Sequence, residues 1–237
     1  MDLSVLVVTH RKGELLARCL AALVPQLSPK DELLVIDDGG EDHKIAAQFP
    51  CRYIAVPHRG YRLASLQNLG VLLARHDYIV KLDGDCVPDP GWLSAYRAAL
   101  APGRLVAGRI DWQQPDGTVR PDGRLSREVP PRLWGGNFGL PRGELLALGG
   151  FAEELDGAWG GEEQDLEARW LAAGKEFVYL PEARAVHQWH PIPHGRYRTL
   201  SPATRAFLAA RRAAYERGEF PPPLREASLK YEEVPCG

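Results

Sequence analysis

The segment Leu3 to Thr9 (LSVLVVT) is apolar almost throughout and ends on a hydroxyl residue. A short run with so little polar alternation predicts a strand buried on both faces, the kind that parallel sheets contain. Leu15, Leu16, Cys19, Leu20 and Leu23 then recur at helical spacing, and Pro25 limits that helix. The alternation repeats. Glu32 to Asp37 (ELLVID) and Cys51 to Val56 predict two more strands, Leu63 to Ala74 a helix, and Tyr78 to Leu82 (YIVKL) a fourth strand. A helix from Pro90 to about Leu100 and a strand near Leu105 to Ile110 follow. This interval predicts an α/β fold: a doubly wound, mostly parallel central sheet with right-handed crossovers and helices on both faces.

In such sheets ligands collect beyond the carboxyl ends of the strands. The polar clusters fall there: Thr9-His10, Asp37-Asp38-Gly39-Gly40, His58-Arg59-Gly60 and Asp83-Gly84-Asp85 each follow an apolar run. Residues 111–132 are rich in Pro, Gly, Asp and Arg without a period, which predicts a long lid or binding loop. From Trp134 the pattern resumes with GGNFGLPR, a short helix to Leu148, Gly149-Gly150 and the acidic WGGEEQDLEARW segment. Phe177 to Leu180 and Ala183 to His187 read as short closing strands. Beyond Pro191 a basic stretch with helical spacing (Phe207, Leu208, Ala210, Tyr215) leads into a Pro-rich tail expected to be partly mobile. The expected division is one domain over 1–195, with halves 1–110 and 111–195, and a basic helical extension and tail over 196–237.

Length adds that 237 residues suit a single large α/β domain. The formal net charge of -2 supplies no global field for nucleic acid, so no nucleic-acid partner is expected. Cys19, Cys51, Cys86 and Cys236 are scattered, without CxxC spacing, as free thiols in a reducing cytoplasm would be. The N-terminus has no basic leader, and its apolar segment is far shorter than the roughly 20 residues that span a bilayer. A cytoplasmic protein is the expectation.

Asp83 and Asp85, separated by one glycine at a strand end, offer oxygen ligands to a hard divalent cation, Mn²⁺ or Mg²⁺. A solvated Asp-Gly turn is the alternative, but it has no reason to sit at the end of a central strand. Asp37 and Asp38 suit either a glycine-rich turn or an acceptor for a nucleobase or ribose, and both readings stay open. Glu162 and Glu163 open a helix whose buried stripe is Leu166, Trp170 and Ala173. The macrodipole favours acids there in any case. Glu163 also shares the inward face of Leu166 and Trp170, which makes it a candidate general base. His187 ends an apolar run and His190 follows it; either could add an imidazole to a metal held by the aspartates, or stay a strand-edge residue. A separate zinc site from His187, His190 and His194 lacks a fourth ligand.

The ordered series VVTH, VIDDGG, GYRLASLQNLG, LDGDCVP, GGNFGLPR and GGFAEELDGAWGGEEQDL resembles family 2 glycosyltransferases of the GT-A fold. Its GGNF and WGGEE part is similar to the carboxyl-terminal region of galactosyltransferase-like enzymes and bacterial polysaccharide polymerases. The resemblance spans 3–191 and implies an inverting, metal-dependent transferase. It would move a sugar from a nucleotide diphosphate sugar, with UDP the usual nucleotide, to a hydroxyl of a carbohydrate, lipid-linked or protein acceptor. Residues 1–110 would be the nucleotide-binding half and 111–195 the acceptor half. By the same resemblance Asp37 contacts the base, and Thr9, Asp38, Arg62 and Asn68 surround the nucleotide. Asp83 and Asp85 form the DxD motif that holds donor and metal, and His187 completes the coordination. Glu163 stands where the family more usually has an aspartate base, with Glu162 as the alternative. Gly135, Gly136 and Asn137 line the sugar and acceptor side.

Two rival readings remain. A sugar-nucleotide nucleotidyltransferase needs a Gly-rich basic phosphate loop, of which Thr9-His10-Arg11-Lys12-Gly13 is a poor version. A binding module that has lost catalysis would not need intact acids at 83, 85 and 163. The basic stretch from Arg196 to Arg217 suits a solvated helix packed on the domain, or contact with an anionic acceptor, a partner or a membrane surface.

Overall fold

In the computed structural model, which describes residues 1–123, 132–191 and 199–236, the first apolar run is strand β1 (Leu3–Thr9), buried along its length. Its apolar residues serve two cores. Leu3, Val5 and Val7 join Leu16, Cys19, Leu20 and Leu23 of helix α1 (Glu14–Leu23), while Leu6 and Val8 join the cluster on the opposite face. Strand β2 (Glu32–Asp38) divides the same way, Leu33 and Val35 to one side, Leu34 and Ile36 to the other. A short helix α2 (His43–Ala46) leads to β3 (Arg52–Val56), and α3 (Leu63–Leu73) covers the second core with Leu66 and Leu69. Gly70 of α3 lies directly over β1, where a Cβ would come within 2.4 Å of Leu6 Cδ1.

Next come β4 (Tyr78–Asp83), β5 (Cys86–Pro88), α4 (Trp92–Ala99) and β6 (Arg104–Gln113). The remaining elements are β7 (Val119–Arg120), β8 (Asn137–Pro141), α5 (Arg142–Ala147), α6 (Glu162–Ala172), β9 (Glu176–His187), α7 (Pro202–Glu216) and β10 (Glu232–Val234). One sheet runs β10-β3-β2-β1-β4-β8-β6-β9-β5, with β7 on β6. Its β3-β2-β1-β4 portion is parallel, as the strand and helix alternation predicts. The second half is mixed instead of mostly parallel: β8 runs antiparallel to both β4 and β6. β6 turns back on itself through β7 before β8, and an antiparallel pair needs no crossover helix.

Three other expectations change. The stretch from 111 begins as strand: β6 continues to Gln113 and turns back into β7. Asp111 is the cause, buried between the guanidinium groups of Arg109 and Arg184 at 2.7 Å each and accepting the Asp122 N–H at 2.9 Å. The two closing strands are one, β9, with a register shift opposite Gly108 and Arg109 where Pro181 interrupts the ladder. The tail expected to be mobile is packed. Pro221 lies against Gly149, Leu224 N–H donates to Leu146 C=O at 2.8 Å, and Ala227 and Leu229 pack on the α3 side of the core. β10 then covers the free edge of β3, which would otherwise offer a row of unpaired backbone groups.

Helix α7 is amphipathic and packs on α6. Leu208 is buried beside Ala152 and Leu155, Tyr215 O–H donates to Asp165 at 2.7 Å, and Arg211 reaches the same carboxylate at 3.2 Å. His194 and Arg196 lie outside the described residues. Among the described residues no helix is long and apolar enough to cross a membrane.

Candidate active site

The Asp83-Gly84-Asp85 turn joins β4 to β5 and is held from both sides: Asp83 N–H donates to Gly136 C=O and Gly84 N–H to Val8 C=O, both at 3.0 Å. A side chain on Gly84 would meet Thr9 at 3.1 Å, so glycine permits this close approach to β1. The two acids then diverge. Asp85, 5% exposed, faces Lys12 Nζ at 2.6 Å, His190 Nε2 at 3.1 Å and His187 Nε2 at 3.6 Å. Burial works against its ionisation, but His190, His187 and Lys12 hold the carboxyl well below its usual range. The Asp85 carboxylate in turn raises His190. His187 packs at a tilt against Trp112, ring centres 4.7 Å apart. Asp85, His187 and His190 bring their ligand atoms within 4.8 Å of one another.

Asp83 turns to the other side, where it accepts from the Lys81 ammonium, which also donates to Gly135 C=O. Lys81 is 1% exposed. Burial opposes its charge, yet Asp83 and Glu163 raise its pKa above the ordinary lysine value. The Glu163 carboxylate lies over Gly135, where a Cβ would come within 1.8 Å of Oε1, and a Cβ on Gly136 would stand 3.1 Å from Asp83 Oδ2. The glycine pair thus makes room for an acid at each residue. Burial pushes Glu163 up and Lys81 partly offsets it. Of the metal set expected from sequence, Asp85 and His187 lie together with His190, while Asp83 pairs with Lys81.

Glu162 is fully buried, and neither carboxylate oxygen has a hydrogen-bond partner among the described residues. Burial, then the neighbouring Glu163 carboxylate, pushes it up to about 8. Between the ordinary carboxyl value and that one, the folded chain keeps a proton that the unfolded chain has lost. Stability should therefore fall as pH rises through this window. Glu162→Gln keeps the shape and removes the titration. Its melting temperature should match wild type near about pH 5 and exceed it by several degrees near about pH 8.5. Parallel melting curves across that range would sink the assignment of a buried, protonated Glu162.

At the ends of β2 and β3, Asp37 is fully buried. Its Oδ2 accepts from Tyr53 O–H and, at 2.8 Å, from Asp42 N–H, whereas Oδ1 has no partner among the described residues. Burial raises its pKa. Asp38 is held by His58 at 2.6 Å and Arg62 at 2.7 Å, and His10 stacks on His58 at 4.4 Å. Three residues expected to line the ligand are bonded within the framework. Thr9 O–H donates to Asp42 at 2.7 Å. Asn68 donates to Phe151 C=O at 3.0 Å and accepts Phe151 N–H at 2.7 Å. Asn137 accepts from Trp92 and Tyr96 at 2.9 and 2.7 Å and donates to the carbonyls of Arg109 and Ala183. All three are buried, and bonds of this kind leave a buried amide or hydroxyl little capacity for a ligand. Sequence reasoning gave Lys81 no role, and placed His10 and His58 only in strand-end polar clusters. Lys81 had a signal, a lone charge inside the buried strand YIVKL; Lys12 entered only as part of a weak phosphate loop.

The family model for glycosyl transferase family 2 matches residues 4–149, and that for the N-terminal domain of galactosyltransferase matches residues 127–194. Chondroitin synthase of Escherichia coli is 27% identical over 241 aligned positions, covering 80% of this chain and 35% of the synthase. The chain thus spans about a third of that relative's length. Among solved structures, GalNAc-T7 with UDP, GalNAc and Mn²⁺ superposes with a TM-score of 0.65 at 19% identity, covering 87% of this chain and 47% of that one. The mannosyltransferase PcManGT of Pyrobaculum calidifontis, in complex with GDP-Man and Mn²⁺, gives 0.63 at 19% identity over 93% and 65%. These likenesses establish the GT-A fold.

Proposed function

The chain belongs to glycosyl transferase family 2, and from that premise we propose that it moves a sugar from a nucleoside diphosphate sugar, UDP-linked, to an acceptor hydroxyl with inversion. The observation that carries this reading is the divergence of one turn. Asp85 faces a cluster able to bind a cation, while Asp83 and Lys81 face Glu163, a buried carboxylate.

The residues present fit a divalent cation: one ionised carboxylate and two imidazoles converge, and the Lys12 ammonium already rests against Asp85. Asp85, His187 and His190 would hold the ion, and the mixed oxygen and nitrogen set suits Mn²⁺ better than Mg²⁺. Such an ion supplies Lewis-acid neutralisation of the departing diphosphate. Asp37 Oδ1, buried and without a hydrogen-bond partner among the described residues, is suited to accept an N–H of the nucleobase, and Arg62 and His58 keep Asp38 oriented beside it. Glu163 takes the proton of the acceptor hydroxyl as its oxygen bonds to the anomeric carbon. The bond from that carbon to the diphosphate breaks, and the leaving oxygen takes the electron pair. Lys81 holds Asp83 and the Gly135 carbonyl beside the base. Glu162, pushed up to about 8 by burial, is the less suited of the two to accept that proton.

A thermal panel of nucleoside diphosphates and their sugars, with and without Mn²⁺, tests the reading. At a concentration about a hundred times Kd the matching ligand should stabilise by about 2.7 kcal/mol, roughly 5 to 10 °C here, and only with the ion present. UDP should give the larger shift, GDP a smaller one. A folded protein that responds to neither, or that releases pyrophosphate from UTP and a sugar phosphate, would overturn the proposal.

A further inference from the structure

β10 pairs with β3 with Glu232 opposite Ala55, Glu233 opposite Ile54 and Val234 opposite Tyr53. The same register, continued, sets Cys236 opposite Cys51, and the two sulfurs are 3.5 Å apart although 185 positions separate them in sequence. Directly opposed residues of an antiparallel pair have Cα atoms about 4.5 to 5.5 Å apart, inside the roughly 4.4 to 6.8 Å that a disulfide spans. Both residues are free thiols with part of their surface exposed, unlike the buried Cys19 and Cys86. Burial, then the adjacent sulfur, raises the Cys51 thiol. The contact is supported on both sides: Arg52 pairs with Glu233 at 2.8 Å, and His43 meets Pro235 C=O at 3.4 Å.

We propose that Cys51 and Cys236 are a reversible modification site that exchanges with low-molecular-weight disulfides and latches the tail to the sheet edge. One of the two thiolates attacks a sulfur of glutathione disulfide, forming a mixed disulfide and releasing one glutathione thiolate. The second cysteine thiolate attacks the protein sulfur of that mixed disulfide and releases the other. Two electrons pass to the glutathione pair, and the two cysteine protons end on the released thiols. The strap so closed runs from α7, which packs on the helix carrying Glu162 and Glu163, across the α3 face to the far edge of the sheet. The inference is independent of the transferase reading.

The purified chain should be equilibrated with glutathione disulfide, its thiols counted in denaturant, and its peptides mapped by mass. The four thiols should fall to two, with the Cys51 and Cys236 peptides joined and the intact mass lower by two hydrogens. The melting temperature should rise by about 5 °C or more, and dithiothreitol should reverse every change. Cys51→Ser and Cys236→Ser should each abolish the link while leaving a folded protein with the melting temperature of the reduced wild type. Four remaining thiols, or glutathione retained on one cysteine with its neighbour free, would overturn the proposal.

Discussion

Replacing Glu163 with glutamine is expected to lower kcat by about 10² to 10⁴ while leaving donor binding intact, the range that loss of a general base covers. Glutamine has nearly the volume of glutamate, so the space over Gly135 stays filled, and Lys81 keeps Asp83 as its partner. What disappears is the carboxylate proposed to accept the proton. The raised pKa of Glu163 puts the acidic limb of the rate profile above the usual carboxylate range, so wild-type turnover should fall as pH drops through it. Glu163→Asp restores the residue more usual in the family but withdraws the carboxylate by one methylene, and should recover part of the rate. Glu162→Gln is the internal control, because a buried acid already protonated near neutrality loses little by becoming an amide. Wild-type turnover in Glu163→Gln, or equal losses in the two glutamine variants, would show that the proton goes elsewhere.

The inward placement of Glu163 was legible because helical phase is a local property: Glu163 shares the face of Leu166 and Trp170 whatever the helix packs against. The parallel half of the sheet was legible for a similar reason, since each apolar run that ends in a polar cluster marks one strand and one ligand-facing end. The divergence of Asp83 and Asp85 was not. It depends on Lys81 reaching one acid from within β4 and on Lys12, His187 and His190, three residues brought to the turn by tertiary structure, reaching the other. Thr9, Asn68 and Asn137 carry ligand-type side chains at ligand-type positions, and only their bonds reveal that they brace the framework. Glu232–Val234 has no strand signal of its own, and it pairs because β3 presents an open edge.

Asp85→Asn is expected to weaken Mn²⁺-dependent UDP binding by at least about a hundredfold, since even outer-shell changes at metal sites cost up to that much. Asp85 supplies the negative charge of the trio it forms with His187 and His190. Without it, a divalent ion would meet two imidazoles and the Lys12 ammonium, and the attraction becomes repulsion. Lys12→Met is the reciprocal experiment: removing the ammonium that rests 2.6 Å from Asp85 should tighten Mn²⁺ binding in the absence of nucleotide. Titration calorimetry reads both, with the ion alone and with UDP added. Opposite shifts locate the cation on Asp85, because a merely structural defect would weaken binding in both variants. If Asp85→Asn held UDP and Mn²⁺ as tightly as wild type, the ion would have to sit elsewhere, and Asp83 would be the residue to change next.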